Sequence, residues 1–307
     1  MHEPPAGVWA TMVTPFTDGG AIDYAGLASL VDWYIDHRVA GLFAVCRSSE
    51  SFEMSLEERR AVAAFVVGTT AGRVPVIAGG NLTEGAEAQA DEVAMIAATG
   101  VNGVVLLTST MAEREEGDAA WCRRAEALLA RIPEDIPLGI YESPAPYHRT
   151  VGAEGLLWCL ETGRFRFLKD TSCDAGAISE KLRILAGSNL RLYNANTQTL
   201  LPSLRSGAAG YSSVMANVSP RLYDWLITNH HSHTDRAERL VAFLSVADAA
   251  LVARCYPASA KYYLRLEGLP ISTYAREKTR LQLDSTARIT MEHLRRVVKE
   301  YEASYGT

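Results

Sequence analysis

Lysine is scarce in this chain of 307 residues, and the scarcity narrows the search for a reactive amine. Only five of the thirty basic residues are lysines, and the first 168 residues contain none. The five are Lys169, Lys181, Lys261, Lys278 and Lys299. A lysine that occupies a chemically special position therefore has few candidates.

Charge and hydrophobicity exclude two classes of protein. The formal net charge is −6 and the pI is near 5.7, whereas a nucleic-acid surface needs clustered Lys and Arg to neutralise phosphates. No apolar stretch reaches the roughly 18 residues that a membrane span requires, and residues 1–5 lack the basic and apolar segments of a secretory signal. We therefore expect a cytoplasmic protein with neither a nucleic-acid nor a membrane partner.

The cysteines and the other potential metal ligands show no site-forming spacing. There are five cysteines, an odd number, and no Cys-x-x-Cys pair, so we expect reduced thiols buried as small hydrophobic side chains. The run His230-His231-Ser232-His233 resembles a metal motif, but it lies past the last predicted strand, where a solvated loop between helices is the expected interpretation. The chain also contains no Asp/Glu/His cluster at metal spacing and no P-loop. We predict no metal site and no organic cofactor.

Short apolar runs alternate with amphipathic stretches through roughly the first 225 residues. Each run is too short for a helix and is typical of a strand buried on both faces. The runs are 8–13, 41–45, 74–78, 103–107, 138–141, 165–168, 190–193 and 210–214, and the helical patterns are 24–38, 56–70, 83–99, 118–130, 153–161, 177–185, 200–206 and one beginning near Pro220. Eight strand–helix repeats predict an α/β protein with a (β/α)₈ TIM barrel.

A doubly wound open sheet is the competing architecture. It usually has a glycine-rich phosphate turn after the first strand, and residues 14–20 do not form one. After His230 the strand pattern stops, and 236–254, 259–266 and 290–304 have helical patterns. We therefore predict a barrel over residues 1–228 that carries the active site, followed by a small helical domain over 229–307.

Lys169 follows the apolar part of the sixth predicted strand. The active site of a (β/α)₈ barrel lies at the carboxyl ends of its strands, and partial desolvation there lowers an amine pKa and exposes the neutral nucleophile. Such an amine attacks a ketone to give an imine, which withdraws electrons during C–C or C–O cleavage. A surface lysine paired with Asp170 is the alternative, and position alone does not decide between the two.

Tyr141 ends the fifth predicted strand, next to the strand that carries Lys169. A phenol at that place is able to move protons between the lysine, the carbinolamine and the leaving group. The alternative is a core tyrosine whose hydroxyl is hydrogen-bonded at the barrel rim. The pairing with Lys169 on adjacent strand ends favours the catalytic interpretation.

The second predicted strand runs into the turn Cys46-Arg47-Ser48-Ser49-Glu50-Ser51. Its small residues offer backbone N–H groups and hydroxyls that suit a carboxylate, and Arg47 adds a cation for bidentate binding. We predict that Arg47, Ser48 and Ser49 bind the substrate. The alternative is a polar loop in which Arg47 pairs with Glu50 or Glu53.

With these residues placed, the chain resembles the dihydrodipicolinate synthase/N-acetylneuraminate lyase family of class I aldolases. The resemblance rests on 10–16, 56–59 and 74–79, on Tyr141 with Pro144, on 168–170 and on 210–217. It implies a barrel with a C-terminal helical domain, usually as a homotetramer. It also implies a Schiff-base lysine at Lys169, a proton-relay tyrosine at Tyr141, and pyruvate or another 2-oxo acid as the covalent partner.

Three departures from the family pattern argue against dihydrodipicolinate synthase itself. The family turn usually reads Gly-Thr-Thr-Gly-Glu, but here it is Cys46-Arg47-Ser48-Ser49-Glu50. The synthases present a tyrosine after the fourth strand, where this chain has Ser109-Thr110-Met111. The segment after Tyr141 is longer, so the arginine of the synthases corresponds only loosely to Arg149.

We therefore predict a class I lyase, an aldolase or dehydratase, that forms a Schiff base on Lys169 with a 2-oxo acid, a sugar-derived acid being one candidate. Ser212 is expected to line the pocket, and Glu142 and Arg149 to reach the distal part of the substrate. The chain is expected to form a homo-oligomer, a tetramer or a dimer. The rivals are a condensing synthase with the same covalent step and a catalytically silent barrel that binds an oxo acid.

Overall fold

Among residues 3–252, 255–277 and 283–307, which the computed structural model describes, eight short parallel strands close into a barrel in chain order. The strands are β1 (Gly7–Thr11), β2 (Gly41–Val45), β3 (Val76–Gly79), β4 (Gly103–Leu107), β5 (Leu138–Tyr141), β6 (Phe165–Asp170), β7 (Arg191–Asn194) and β8 (Gly210–Tyr211). β1 pairs with both β2 and β8. This closure excludes the doubly wound sheet and confirms the predicted TIM barrel.

The barrel helices follow the strands as predicted. They are α1 (Tyr24–Asp36), α2 (Leu56–Thr70), α3 (Ala86–Ala97), α4 (Asp118–Leu129), α5 (Ala153–Thr162), α6 (Ala175–Leu185), α7 (Leu200–Arg205) and α8 (Pro220–Asn229). Three helices follow: α9 (Thr234–Val252), α10 (Ala258–Leu266) and α11 (Ser285–Tyr305). The last two residues of the predicted helix 236–254, and Lys278, lie outside the described residues.

Closure of the barrel requires a glycine at the β1–β8 seam. Gly210 pairs with Gly7, and a Cβ atom at Gly210 would lie 2.0 Å from the Gly7 carbonyl oxygen. Any side chain at position 210 would therefore push the two strands apart.

The observed starts of three helices are explained by the groups that bind their first turns. Ser55 caps α2 reciprocally with Glu58, and the helix begins at Leu56, where the predicted range begins. The predicted start of α3 at Thr83 is wrong, because the Thr83 hydroxyl and N–H bind the buried Glu92 carboxylate and the helix begins at Ala86. The predicted start of α11 at residue 290 was late, because Asp284 caps the helix by accepting from Ala287 N–H at 2.7 Å.

The helices after the barrel share its outer hydrophobic core. Lys261 on α10 reaches the turn after β2, where its Nζ lies 2.7 Å from Glu50 Oε1, with both side chains fully buried. The same Nζ donates to the Tyr274 carbonyl at 2.7 Å. A buried ion pair thus fixes the C-terminal helices against the carboxyl end of the barrel. Within the described residues, no helix is long and apolar enough to span a bilayer.

We expect Lys261→Met to lower the free energy of unfolding by about 3–5 kcal/mol, because it leaves the Glu50 carboxylate buried without its cation. Urea unfolding of the purified variant measures the loss. A Glu50→Gln/Lys261→Met double variant should recover most of it, since both charges are removed together. Lys299→Met is the matched control: this side chain is 39% exposed, so its loss should be about 1 kcal/mol or less. Equal losses at the two lysines would contradict this account.

Candidate active site

One cluster of side chains fills the barrel below its carboxyl end. The phenyl ring of Phe167 stacks on Tyr193 with ring centres 4.4 Å apart, and Trp9 meets Phe167 edge-on at 5.1 Å. The members are Trp9, Phe43, Cys46, Ile77, Val105, Leu107, Tyr141, Phe167, Tyr193 and Ala209. The interior is therefore a packed, largely aromatic floor rather than a water-filled pore.

Strand alternation decides which side chains face this floor. On β6, Phe167 belongs to the interior cluster and Leu168 to the outer core, so the next two side chains, Lys169 and Asp170, point inward and outward respectively. β5 pairs with β6 so that Tyr141 lies beside Lys169. The two predicted catalytic residues are brought together inside the barrel.

The amine of Lys169 is buried away from solvent. Its side chain is only 4% exposed, and its Nζ lies 4.4 Å from the centre of the Tyr141 ring and 5.8 Å from that of Phe43. Burial lowers the pKa of Lys169 to about 8, and the nearby Cys46 thiol opposes the shift. A usable fraction of the amine is therefore neutral, and thus nucleophilic, near neutral pH. The alternative of a surface lysine paired with Asp170 is wrong.

Tyr141 supplies a phenol next to this amine. Its side chain is 4% exposed, and burial raises its pKa above the usual value, with Arg47 partly offsetting the shift. Like an ordinary tyrosine, the phenol is neutral at physiological pH and has a proton to give, and burial holds that proton more tightly. A positive charge that formed on Lys169 would favour loss of that proton.

The turn after β2 forms a short 3₁₀ segment, Arg47–Ser49. The Ser48 side chain is 6% exposed, and its Oγ makes a long contact, 3.4 Å, to Thr11 Oγ1. Ser49 behaves differently: its hydroxyl binds both the N–H and the carbonyl of Cys46, at 2.8 and 2.7 Å. The predicted substrate contact of Ser49 is therefore corrected, because this hydroxyl is used to hold the turn.

Arg47 has a partner that the sequence did not indicate. Its guanidinium makes two contacts with the Glu277 carboxylate, one of them 2.7 Å from Nη1 to Oε2. The alternative pairing with Glu50 or Glu53 is wrong, because Glu50 is occupied by Lys261. A cation thus lies at the rim of the barrel with a carboxylate already bound to it.

Ser212 follows β8 and is fully buried. Tyr211 stacks outward on Tyr223 of α8, with ring centres 4.0 Å apart, so alternation turns Ser212 inward. Within the described part of the chain its hydroxyl has no hydrogen-bond partner. Ser212 therefore brings to the barrel mouth a hydroxyl whose hydrogen-bonding capacity the described residues do not use.

These elements have the architecture of a known enzyme family. The chain matches the model of the dihydrodipicolinate synthetase family over residues 4–294. It belongs to this family. The chain is accordingly an enzyme of a Schiff-base lyase family.

Relatives of this family cover nearly the whole chain. A 4-hydroxy-tetrahydrodipicolinate synthase of Gluconacetobacter diazotrophicus is 26% identical over 289 residues, 92% of this chain and 94% of that protein. The solved 4-hydroxy-tetrahydrodipicolinate synthase of Methylacidiphilum fumariolicum SolV superposes with a TM-score of 0.86 at 21% identity, covering 98% of each chain. The CdNal protein of Clostridium difficile, in complex with mannosamine, gives 0.85 at 14% identity, covering 95% of this chain and 99% of that one. These two structures share the fold.

Glu142 does not reach toward a substrate as the sequence suggested. It is fully buried on the outer face of β5, where its carboxylate accepts from Lys181 at 2.5 Å and from Val151 N–H at 2.8 Å. Lys181 also binds Asp170 at 2.5 Å. Desolvation raises the pKa of Glu142 to about 7 even though Lys181 lowers it. The expectation for Glu142 is therefore corrected: its carboxylate ties the ends of β5 and β6 to α6.

The expectation that Arg149 reaches the distal part of the substrate is corrected for a similar reason, because its guanidinium has partners within the protein. Its guanidinium donates to the Glu116 carbonyl at 2.6 Å and lies 3.5 Å from the Asp118 carboxylate. The side chain is 8% exposed. These contacts attach the segment after β5 to the start of α4, and they leave the terminal guanidinium nitrogens engaged within the protein.

Sequence reasoning missed a phenol from outside the barrel. The hydroxyl of Tyr256, which lies between α9 and α10, is next to the Ser48 side chain and 3.4 Å from Asn217 Nδ2. Asn217 is anchored by the Thr11 carbonyl at 3.0 Å and by the Tyr34 hydroxyl. No local sequence signal placed Tyr256 here, because its contacts join positions far apart in the chain.

Lys181 was also missed, although a signal existed. It lies three residues after Ile178 and four before Leu185, on the buried face of α6. A lysine on the apolar face of a helix indicates a buried counter-charge.

We expect the reactivity of Lys169 toward acetic anhydride to rise with pH through about 8 and then level off, because its neutral form is complete well below the pH at which an ordinary lysine titrates. Competitive labelling followed by peptide mass spectrometry measures this profile. Lys299 is the internal reference: hydrogen bonds to Glu267 and Glu302 outweigh desolvation and raise its pKa. Parallel profiles for the two lysines would refute the depressed pKa.

Proposed function

We propose that Lys169 forms a Schiff base with the ketone of pyruvate or another 2-oxo acid. The observation that carries the proposal is the inward-facing, desolvated amine, 4.4 Å from the ring centre of a neutral phenol. Among the described residues no carboxylate forms an ion pair with Lys169, so the amine is available for attack.

In the proposed reaction the neutral amine adds to the ketone carbon, and a proton moves from nitrogen to oxygen to give a carbinolamine. Protonation of the carbinolamine hydroxyl lets it leave as water, while the nitrogen lone pair forms the C=N bond. In an aldol cleavage the cationic imine accepts the electrons of the C–C bond that breaks. In a dehydration it accepts the electrons of a C–H bond on the adjacent carbon, and the enamine formed then expels the β-hydroxyl, which is protonated and leaves as water. The imine is itself the electron sink, so this proposal requires no metal or organic cofactor.

Tyr141 is proposed as the group that protonates the departing hydroxyl. The phenol carries its proton at physiological pH, and burial raises its pKa further. The phenolate formed would lie beside the new positive charge of the imine, which favours its formation. Once water has left, the phenolate is placed to accept a proton from the substrate in the next step. One residue thereby serves both proton transfers.

The carboxylate next to the ketone of the oxo acid is proposed to bind near Lys169, at hydroxyls of the β2 turn and of the segment after β8. Two buried hydroxyls support this location: Ser212, which has no partner among the described residues, and Ser48, which has a long contact to Thr11 and lies next to the Tyr256 hydroxyl. The guanidinium of Arg47 contributes positive charge near the same turn. Hydroxyl donors and a neighbouring cation are a suitable environment for an anion.

The direction of the reaction has two candidates. Cleavage or dehydration of a 2-oxo acid, with a sugar-derived acid as one candidate, remains our proposal, because no tyrosine follows β4 at residues 109–111. Condensation is the second candidate, since the curated relatives cited above are named 4-hydroxy-tetrahydrodipicolinate synthases. Turnover of 2-keto-3-deoxy acids, compared with pyruvate plus an aldehyde panel, separates the two. The predicted homo-oligomer and the cytoplasmic location remain predictions.

We expect borohydride reduction in the presence of pyruvate to leave a stable adduct on Lys169, detected by intact mass and located by peptide mapping. Lys169→Arg should abolish the adduct, because a guanidinium stays protonated and is not a nucleophile. Tyr141→Phe should still form the adduct, but with a rate lower by roughly 10²-fold.

Three results would count against this proposal. They are an adduct on Lys181 or Lys261, an adduct that persists in Lys169→Arg, and the absence of any adduct with a panel of 2-oxo acids. The last result would favour the catalytically silent barrel.

A further inference from the structure

The carboxylate on Arg47 comes from the protein itself. Each terminal nitrogen of the guanidinium contacts one oxygen of Glu277, and the side chains are 31% and 25% exposed. This bidentate arrangement is the geometry with which an arginine binds a free carboxylate. Glu277 therefore occupies a complete carboxylate site.

This site lies at the rim rather than at the floor of the barrel. The Arg47 guanidinium is 5.9 Å from the centre of the Phe52 ring, which packs against the interior cluster. Arg47 also lowers the pKa of Tyr141, so its charge is felt at the catalytic phenol. Cys46, the preceding residue, belongs to the interior cluster and is close enough to Lys169 to affect its pKa. An anion on Arg47 would thus lie further out than a ketone on Lys169, while remaining in the same mouth.

The backbone that presents Glu277 is held independently of the ion pair. The Glu277 N–H donates to Glu50 Oε2 at 2.8 Å, Lys261 binds the Tyr274 carbonyl, and Arg276 binds the Gly20 carbonyl at 2.8 Å. Only the side chain of Glu277 reaches Arg47. A rotation of this partly exposed side chain into water would free the Arg47 guanidinium without moving the backbone at Glu277.

We propose that Arg47 is the receptor for a second, distal carboxylate of the substrate, and that Glu277 is an internal carboxylate that occupies this receptor until such a substrate binds. The proposal rests on the proposed function, since it takes the ketone end of the substrate to be at Lys169. It assigns the substrate to 2-oxo acids that carry another anionic group at the far end of the carbon chain.

The competition has a consequence for selectivity. A ligand with one carboxylate, such as pyruvate, is held by the hydroxyls near Lys169 and leaves the Arg47–Glu277 pair intact. A dicarboxylate must displace Glu277, whose attachment to the chain gives it a high effective concentration at the guanidinium. Removing the charge of Glu277 should therefore strengthen the binding of dicarboxylates and leave the binding of monocarboxylates such as pyruvate nearly unchanged.

The test is the affinity, measured by calorimetry, of pyruvate, 2-oxoglutarate and 2-oxoadipate for the full chain and its variants. Glu277→Gln keeps the shape and the backbone contact to Glu50 and removes the competing charge. We expect it to tighten binding of at least one dicarboxylate by roughly tenfold and to change pyruvate binding less than about twofold. When Glu277→Gln is introduced into the Arg47→Met variant, the double variant should bind the dicarboxylates no more tightly than Arg47→Met alone.

Glu53→Gln is the matched control, because it removes one negative charge near the same turn from a side chain that does not pair with Arg47. The inference is overturned if Glu277→Gln shifts pyruvate and the dicarboxylates equally, if Glu53→Gln gives the same gain, or if the gain survives loss of Arg47. It is also overturned if neither dicarboxylate binds the Glu277→Gln variant at millimolar concentration.

The two proposals fail separately. A borohydride adduct on Lys169 without any effect of Glu277→Gln would retain the imine chemistry and reject the distal receptor. An Arg47-dependent gain without an adduct would retain the receptor and reject the imine.

Discussion

Desolvation of one primary amine is the constraint on which the rest of this structure depends. An ammonium ion is strongly hydrated, so a lysine placed on an aromatic floor loses stability in its charged form and its pKa falls. The closed barrel provides that floor, and the register of β5 and β6 sets the Tyr141 phenol beside the Lys169 amine. The packing of the interior is therefore also the means by which the amine becomes a nucleophile.

A carboxylate close to Lys169 would undo this effect, because opposite charge raises the pKa of an amine. The chain places two acids, Glu142 and Asp170, directly after Tyr141 and Lys169, and strand alternation turns both to the outer face. There Lys181 binds the two carboxylates at once. The barrel wall thus separates an inner lysine whose pKa is lowered from an outer lysine that is paired with two carboxylates, although the two belong to the same βα unit.

Much of this could be predicted from the sequence, because the strands are short, buried on both faces and separated by amphipathic helices. The bounds of β2, β4 and β5 agree with the predicted runs, and the geometry brings Lys169 and Tyr141 together as expected. The sequence could not predict pairs whose partners lie more than 200 positions apart. Arg47 with Glu277 and Glu50 with Lys261 both join the β2 turn to the C-terminal region. For Glu142 and Arg149, position near the mouth was a poor guide, because local partners determine where the charged end lies.

The most direct measurement is a crystal structure of the protein incubated with pyruvate and reduced with borohydride. Continuous electron density from Lys169 Nζ to the second carbon of the ligand, with its carboxylate within hydrogen-bond distance of Ser48 or Ser212, is the predicted result. A ligand bound without a covalent bond to Lys169, or attached to another lysine, would contradict the central claim that this buried amine is the reacting group.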